Sequence, residues 1–342
     1  MKRKITNFLG SSWGQRVTIL AIVIVVMAIF QPRFFRLSNI YSILLSISVY
    51  GIMACGMLFV ILTGNIDLCQ GSTAAMSAVF MTKFVMAHNY SPESIFIGIA
   101  IGLAACVALG IFHGIETAYL RIPAFVLTIA TQYAVYGMMD VYTKSNYLTP
   151  ASGNLYAFIG SGKVMGIPMP IIIFVVYAAI AAVVLGCTKF GRRVYIVGGN
   201  PEAAELIGIN SKLYRVVAYI ISGVSAGLGG IVLACLNMQA AFTTASGYEG
   251  KVLTAMVVGG INLAGGEGGI PGAIFGALFV GIISNLLVLL DVPADYQSFV
   301  QGVIIVVAIA MNVQSQRRSM GLTGASKKLF ETTENKSESA AE

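Results

Sequence analysis

Charge is what this sequence has least of. Asp, Glu, Lys and Arg make up only 10% of its 342 residues, against roughly a quarter in an average soluble domain. Histidine is almost missing: His88 and His113 stand apart at different loops or span ends and form no metal-binding pair. The five cysteines (Cys55, Cys69, Cys106, Cys187, Cys235) include no C-x-x-C pair and fall within or beside apolar runs. Neither a zinc site nor a disulfide framework is indicated, and they read as small buried side chains. The net charge of +7 comes from bases scattered among loops, with no basic face carrying aromatics, so a nucleic-acid partner is not expected.

What is abundant is apolar side chain, 57% of the total. A bilayer core about 30 Å thick needs about 20 apolar residues per helix, and such runs recur along the chain. The expected fold is an all-α polytopic membrane protein with ten spans, near 17–31, 42–62, 72–87, 95–117, 123–142, 168–187, 214–236, 250–264, 270–290 and 297–313. The first is read as an uncleaved span, because Met1-Lys2-Arg3-Lys4 is separated from the apolar run and no small-residue cleavage site follows. Residues 1–16 then form a cytoplasmic segment and 17–313 the transmembrane domain. The polar tail 314–342 has little to pack and is expected to be disordered.

Counting bases tests the orientation. Fifteen Lys and Arg fall on the side assigned to the cytoplasm, five fall outside, and Lys83 sits within a span. The excess satisfies the positive-inside rule with both termini in the cytoplasm. On this topology 64–71 is a cytoplasmic loop, and 188–213 is the longest internal one. His113 and Glu116, near Arg121 at the inner end of the fourth span, read as solvated or paired interface residues, with a proton relay as the alternative.

The eighth span is too short to cross as a straight helix: Val252–Val258 is followed by Gly259-Gly260 and then Gly265-Gly266. A helix broken partway is expected. The stretch from Gly64 to Gly71 (GNIDLCQG) echoes Gly259 to Gly266 (GGINLAGG), with Asp67 facing Asn262. A second echo joins LRIPA at Leu120 to LDVPA at Leu290. Glycine-interrupted segments in both halves suggest an internal pseudo-repeat whose broken helices border a route. Asn65, Asp67, Glu249 and Asn262 are the candidate pathway or gate residues. Gly64, Gly71, Gly259, Gly260, Gly265 and Gly266 are the candidate helix breaks. Asp67 with Gln70 has the spacing of a capping box, so Asp67 is read first as the N-cap of the third span.

No ATP site is present in the pattern. Gly160-Ser161-Gly162-Lys163 mimics the end of a phosphate loop, but Ala157 stands where the first glycine belongs and Val164 where Ser or Thr should hold magnesium. The loop 188–213 carries instead a short capped helix. Asn200 is its N-cap, Pro201 its first residue and Glu202 an acid in its first turn, Ala203-Ala204-Glu205-Leu206 propagate it, and Gly208 ends it.

The segment GRRVYIVGGNPEAAELIGIN, the stretch TGNIDLCQGS and the segment SGYEG…VVGGINLAGGEGGIPGA together resemble the permease subunits of bacterial sugar importers of the ATP-binding cassette class. The likeness is to the ribose, galactose, xylose and arabinose group, and runs from about Ser38 to Met311. It implies a bacterial cytoplasmic-membrane location, two permease chains per transporter (homodimer or heterodimer), two cytoplasmic ATPase subunits holding ATP and Mg, and an external binding protein that delivers a monosaccharide. It also implies that the helix from Asn200 to Gly208 sits in a cleft of the ATPase, with Arg192, Arg193, Glu202 and Glu205 as polar contacts. No catalysis is asked of this chain. Two departures bear on the cargo: Gly250-Lys251 replaces the usual Leu-Asp, and Cys69-Gln70 the usual Ser-Val. The rival readings are a permease for nucleosides, branched-chain amino acids or a sugar-derived signal, a proton-coupled secondary transporter, and a purely structural membrane protein.

Overall fold

A computed structural model describes residues 31–293 apart from 152 and 153, with isolated positions between 14 and 30 and between 296 and 306. The expected first and tenth spans, the segment 1–16 and the tail 314–342 lie outside the described residues. A 3-10 turn, Pro32–Phe35, leads into α1 (Leu37–Leu62), α2 (Gln70–Ala87), α3 (Pro92–Ala118) and α4 (Ala124–Thr143). A short α5 (Leu155–Ser161) and a two-stranded hairpin, β1 (Lys163–Val164) with β2 (Ile167–Pro168), precede α6 (Met169–Cys187). Then follow α7 (Lys189–Gly199), α8 (Pro201–Leu206), α9 (Ser211–Asn237), α10 (Tyr248–Val258) and α11 (Ile270–Leu289).

Each of the eight expected spans in this stretch has its helix, but not all have the same character. Among the described residues five helices are long and apolar enough to cross a membrane: α1, α3, α6, α9 and α11. The shorter or more polar α2, α4 and α10 fall outside that group. In lipid, burying apolar side chain against another helix gains little over burying it in acyl chains, so close packing and buried polar bonds must hold the bundle. The arrangement follows that rule. α1 and α9 form the centre, with Val49 to Leu62 of α1 almost wholly buried. α3 and α6, equally apolar, turn outward residues such as Phe96, Phe112, Val176 and Val183 that suit contact with lipid.

α3 and α9 cross closely. A Cβ on Gly223 would lie 2.5 Å from the Cys106 carbonyl oxygen, and one on Gly110 2.6 Å from that of Tyr219. Both helices are therefore pressed backbone to backbone.

The stretch 63–69 overturns one expectation. It is not a loop resting at the inner end of the bundle. Asp67 receives a hydrogen bond from Ser222 and Gln70 donates to the carbonyl of Met53. Ser222 is the twelfth residue of α9, about 16 Å along its axis at about 1.5 Å per residue, which is half the depth of a bilayer core. The chain leaves α1 at Leu62, turns back into the bundle, and starts α2 from the midplane. Residues 238–247 do the same from the opposite end, so that α10 also starts at mid-depth: Glu249 meets Gln132, the ninth residue of the twenty in α4. The sequence echo between the two glycine stretches therefore does not mark equivalent positions. One of them re-enters the bundle, whereas the other is a flat series of turns, Gly259–Gly269, and the two touch: Gly266 N–H donates to Leu62 O at 3.1 Å.

The capping box is corrected as well. Cys69 is the N-cap of α2, and Gln70 does not reach back to it. Asp67 Oδ1 accepts from Cys69 N–H at 3.0 Å, an Asx-type turn before the helix. Nor is Gly71 a helix break, since it lies within α2. Gly64, Gly260, Gly265 and Gly266 do adopt positive φ. Gly259 has ordinary helical φ at the end of α10.

Candidate functional site

Two regions carry the polar residues. The first is the midplane knot around Asp67. Its Oδ2 accepts the Ser222 hydroxyl at 2.6 Å, and Ser222 Oγ accepts Gln70 Nε2–H at 2.8 Å. Leu68 N–H donates to Thr128 Oγ1 at 3.2 Å, and Tyr219 O–H to Ile66 O at 3.3 Å. Four elements (α1, α4, α9 and the start of α2) are thus tied through one re-entrant turn. Unbonded backbone in a membrane interior costs several kcal/mol per group (~, by transfer scales), which is why a turn there needs so dense a set of partners. Asp67 is 3% exposed and has both oxygens engaged. It holds the turn.

His113 belongs to this neighbourhood and corrects its own expectation. It is buried, not solvated, with its ring 6.0 Å from that of Tyr219. Glu116, one turn on, is half-buried.

Glu249 stands differently. Its Oε1 accepts from Gln132 Nε2 at 2.9 Å, while its Oε2 and the hydroxyl of Tyr136 have no hydrogen-bond partner. Both atoms point at Gly71, where an added Cβ would sit 2.2 Å from Glu249 Oε2 and 2.8 Å from Tyr136 Oη. The side chains of Gln132, Tyr136 and Glu249 are half-buried, so the α2–α4–α10 junction offers unsatisfied donors and acceptors at mid-depth. Gln132 and Tyr136 are absent from the sequence-based candidates. Their signal was a glutamine and a tyrosine in the middle of an apolar run.

The other two pathway candidates lie away from the midplane. Asn65 Nδ2 reaches only the carbonyl and hydroxyl of Thr63, and Asn262 Oδ1 caps Ala264 N–H in the Gly259–Gly269 turns.

The second region is the projecting end at 188–213. Asn200 Oδ1 accepts from Ala203 N–H at 3.0 Å, Pro201 occupies the first turn, Glu202 lies beside it and Gly208 has φ +79°, as the capping pattern requires. An unexpected second helix, α7, precedes it, capped by Thr188 accepting from Gly191 N–H at 3.2 Å. Two of the expected surface contacts, both exposed, also bond to α9. Arg193 Nη1 donates to Tyr214 Oη at 2.8 Å, and Glu205 Oε1 accepts the Ser211 hydroxyl at 2.5 Å. They brace α7 and α8 against α9. Exposed with them are Arg192, Glu202 and an apolar tip, Leu206 at 89% and Ile207 at 67% exposure, with Ala204 buried beneath.

Residues 39–309 match the family described as "Branched-chain amino acid transport system / permease component". The chain belongs to this family. It is a transport permease of the multi-pass inner-membrane kind, and its fold is not that of an enzyme. The permease is 34% identical over 315 residues to the ribose import permease protein RbsC of Haemophilus influenzae, covering 90% of this chain and 96% of that protein. It is 34% identical over 294 residues to the ribose import permease protein of Bacillus subtilis, covering 86% and 90%. To the L-arabinose transport system permease protein AraH of Escherichia coli it is 32% identical over 310 residues, covering 90% and 93%. No solved structure matches the permease.

Proposed function

We propose that this chain is the membrane-spanning subunit of a binding-protein-dependent, ATP-driven importer of a monosaccharide or closely related polyol. The observation that carries the reading is likeness to pentose permeases along nearly their whole length, joined to a projecting helix with an apolar tip. Ten spans complete the bundle in this reading: the eight described, with 17–31 and 297–313 as first and tenth, and both termini in the cytoplasm. The α7–α8 end then faces a cytoplasmic ATPase, which holds ATP and Mg. The other end faces the external binding protein. The exposed face of α4, with Phe125, Tyr133 and Val141, suits a second permease chain, either a copy or a sister.

Solute would pass beside Gln132, Tyr136 and Glu249, where the unpartnered Tyr136 hydroxyl and Glu249 Oε2 can bond hydroxyls of a polyol. Few partners in a row suit transport, because tight binding slows release. ATP-driven closure of the ATPases would move α8, and the permease would alternate between its two openings.

The test is uptake in vesicles. With the cognate binding protein and ATPase present, a panel of labelled pentoses and hexoses should include one that accumulates only with ATP. Uptake without any ATPase would instead support proton coupling. In the same system Leu206→Asp, which sets a charge on the apolar tip, should release the ATPase from detergent-solubilised complexes and lower uptake at least about ten-fold, the effect of losing about 1.4 kcal/mol at a contact. Undiminished ATPase capture by this variant would move the docking site elsewhere.

A further inference from the structure

One contact at the projecting end has a chemistry that packing alone does not require. α7 lies across the place where the end of α1 meets the Gly259–Gly269 turns. Gly198 presses there, since a Cβ on it would fall 1.6 Å from Leu62 O and 2.7 Å from Gly266 N. Beside this backbone contact, Tyr195 O–H donates to the carbonyl of Gly268 at 2.7 Å. Tyr195 thus ties α7 to those turns, whereas Arg193 bonds to α9.

The turns it holds lead both ways. Toward the amino end they run into α10, whose first turn carries Glu249, and toward the carboxyl end into α11. At its own carboxyl end α7 passes through a single residue, Asn200, into α8. A rigid helix fastened at Gly268 and at α8 acts as a lever between the tip and α10. Partial burial raises the Tyr195 phenol above its ordinary range, so the hydroxyl remains a donor at physiological pH.

We infer that Tyr195 is a positioning residue for energy coupling, its hydrogen bond to Gly268 carrying movement of α7 and α8 to the turns that position α10 and Glu249. This rests on the reading that α8 docks on an ATPase, and removal of one hydroxyl tests it without disturbing that docking surface. Tyr195→Phe is compared with the unaltered transporter, complete with ATPase and binding protein, in vesicles where labelled sugar uptake and ATP hydrolysis are measured together.

The expected result is a fall in solute imported per ATP of roughly three- to ten-fold, the equivalent of one hydrogen bond. Complex yield and melting temperature should match those of the parent. An unchanged ratio of uptake to hydrolysis would overturn the proposal, as would a parallel fall in uptake, hydrolysis and melting temperature, which marks a structural role. If the unaltered transporter hydrolyses ATP with no response to binding protein and sugar, it is the ATP-driven reading that fails. That outcome is distinguishable from a normal parent with a normal variant.

Discussion

Asp67→Leu is expected to leave almost no folded permease in the membrane, whereas Asp67→Asn should assemble and transport. Leucine removes the acceptor of both the Cys69 N–H and the Ser222 hydroxyl and sets their donors in a buried interior. Each unsatisfied donor costs about 1–3 kcal/mol, and the pair consumes much of the margin by which a typical protein is stable. Ser222 can recover part of this by turning its hydroxyl to a carbonyl one turn back in α9, but the Cys69 amide has no such alternative.

Asparagine keeps an acceptor for Cys69 N–H, and its own amide can donate to Ser222 Oγ, which has a lone pair to spare beside the Gln70 bond. A loss of about 1 kcal/mol is expected for that exchange. The measurements are yield in the membrane fraction, thermal denaturation in detergent, and uptake. A well-folded Asn variant with no transport would make Asp67 a transport residue and remove the structural role argued for it here.

Gly223→Leu should be as damaging by another route. The Cβ alone would lie 2.5 Å from the Cys106 carbonyl oxygen, and the remaining three carbons have nowhere to go unless α3 and α9 separate. Separation breaks a crossing that also includes Gly114 against Val216 and Gly227 against Cys106. Because lipid competes equally for the apolar side chains, nothing pushes the two helices back together. Gly223→Ala should cost about 1–3 kcal/mol, the range for overpacking, seen as a lowered melting temperature with transport retained. Gly137→Leu is the control, since no atom lies within 4 Å of its Cβ position. Equal stability of Gly223→Leu and Gly137→Leu would refute the crossing.

Local chemistry was legible wherever the cause was local. The positions of the eight helices expected in the described stretch, five of them long and apolar enough to cross a membrane, follow from runs of apolar residues, and the cap from Asn200 to Gly208 follows from residue types that satisfy the first helical amides. The break after Val258 was announced by paired glycines. α7 was missed because Lys189–Gly199 mixes bases, aromatics and glycines and its stability comes from Tyr214, Leu62 and Gly268, partners distant in sequence. For the same reason the bonds that the exposed Arg193 and Glu205 make to α9 were not foreseen. Polar spacing suggested a capping box at Asp67 because Gln70 stands three residues on. That amide went instead to Met53 and Ser222.

The amino-acid sequence by itself determined that this is a membrane bundle, where its long apolar helices run, and that the loop 188–213 carries a capped helix, because hydropathy, helix propensity and capping act over a few neighbouring residues. Only the tertiary structure decided depth. Whether an acid rests at the membrane surface or at the midplane depends on what meets it: Asp67 on Ser222, 155 positions away, and Gln132 on Glu249, 117 away. Such pairings leave no mark in local pattern. They set the turn that starts α2 inside the bundle and the junction where a solute can find hydrogen bonds.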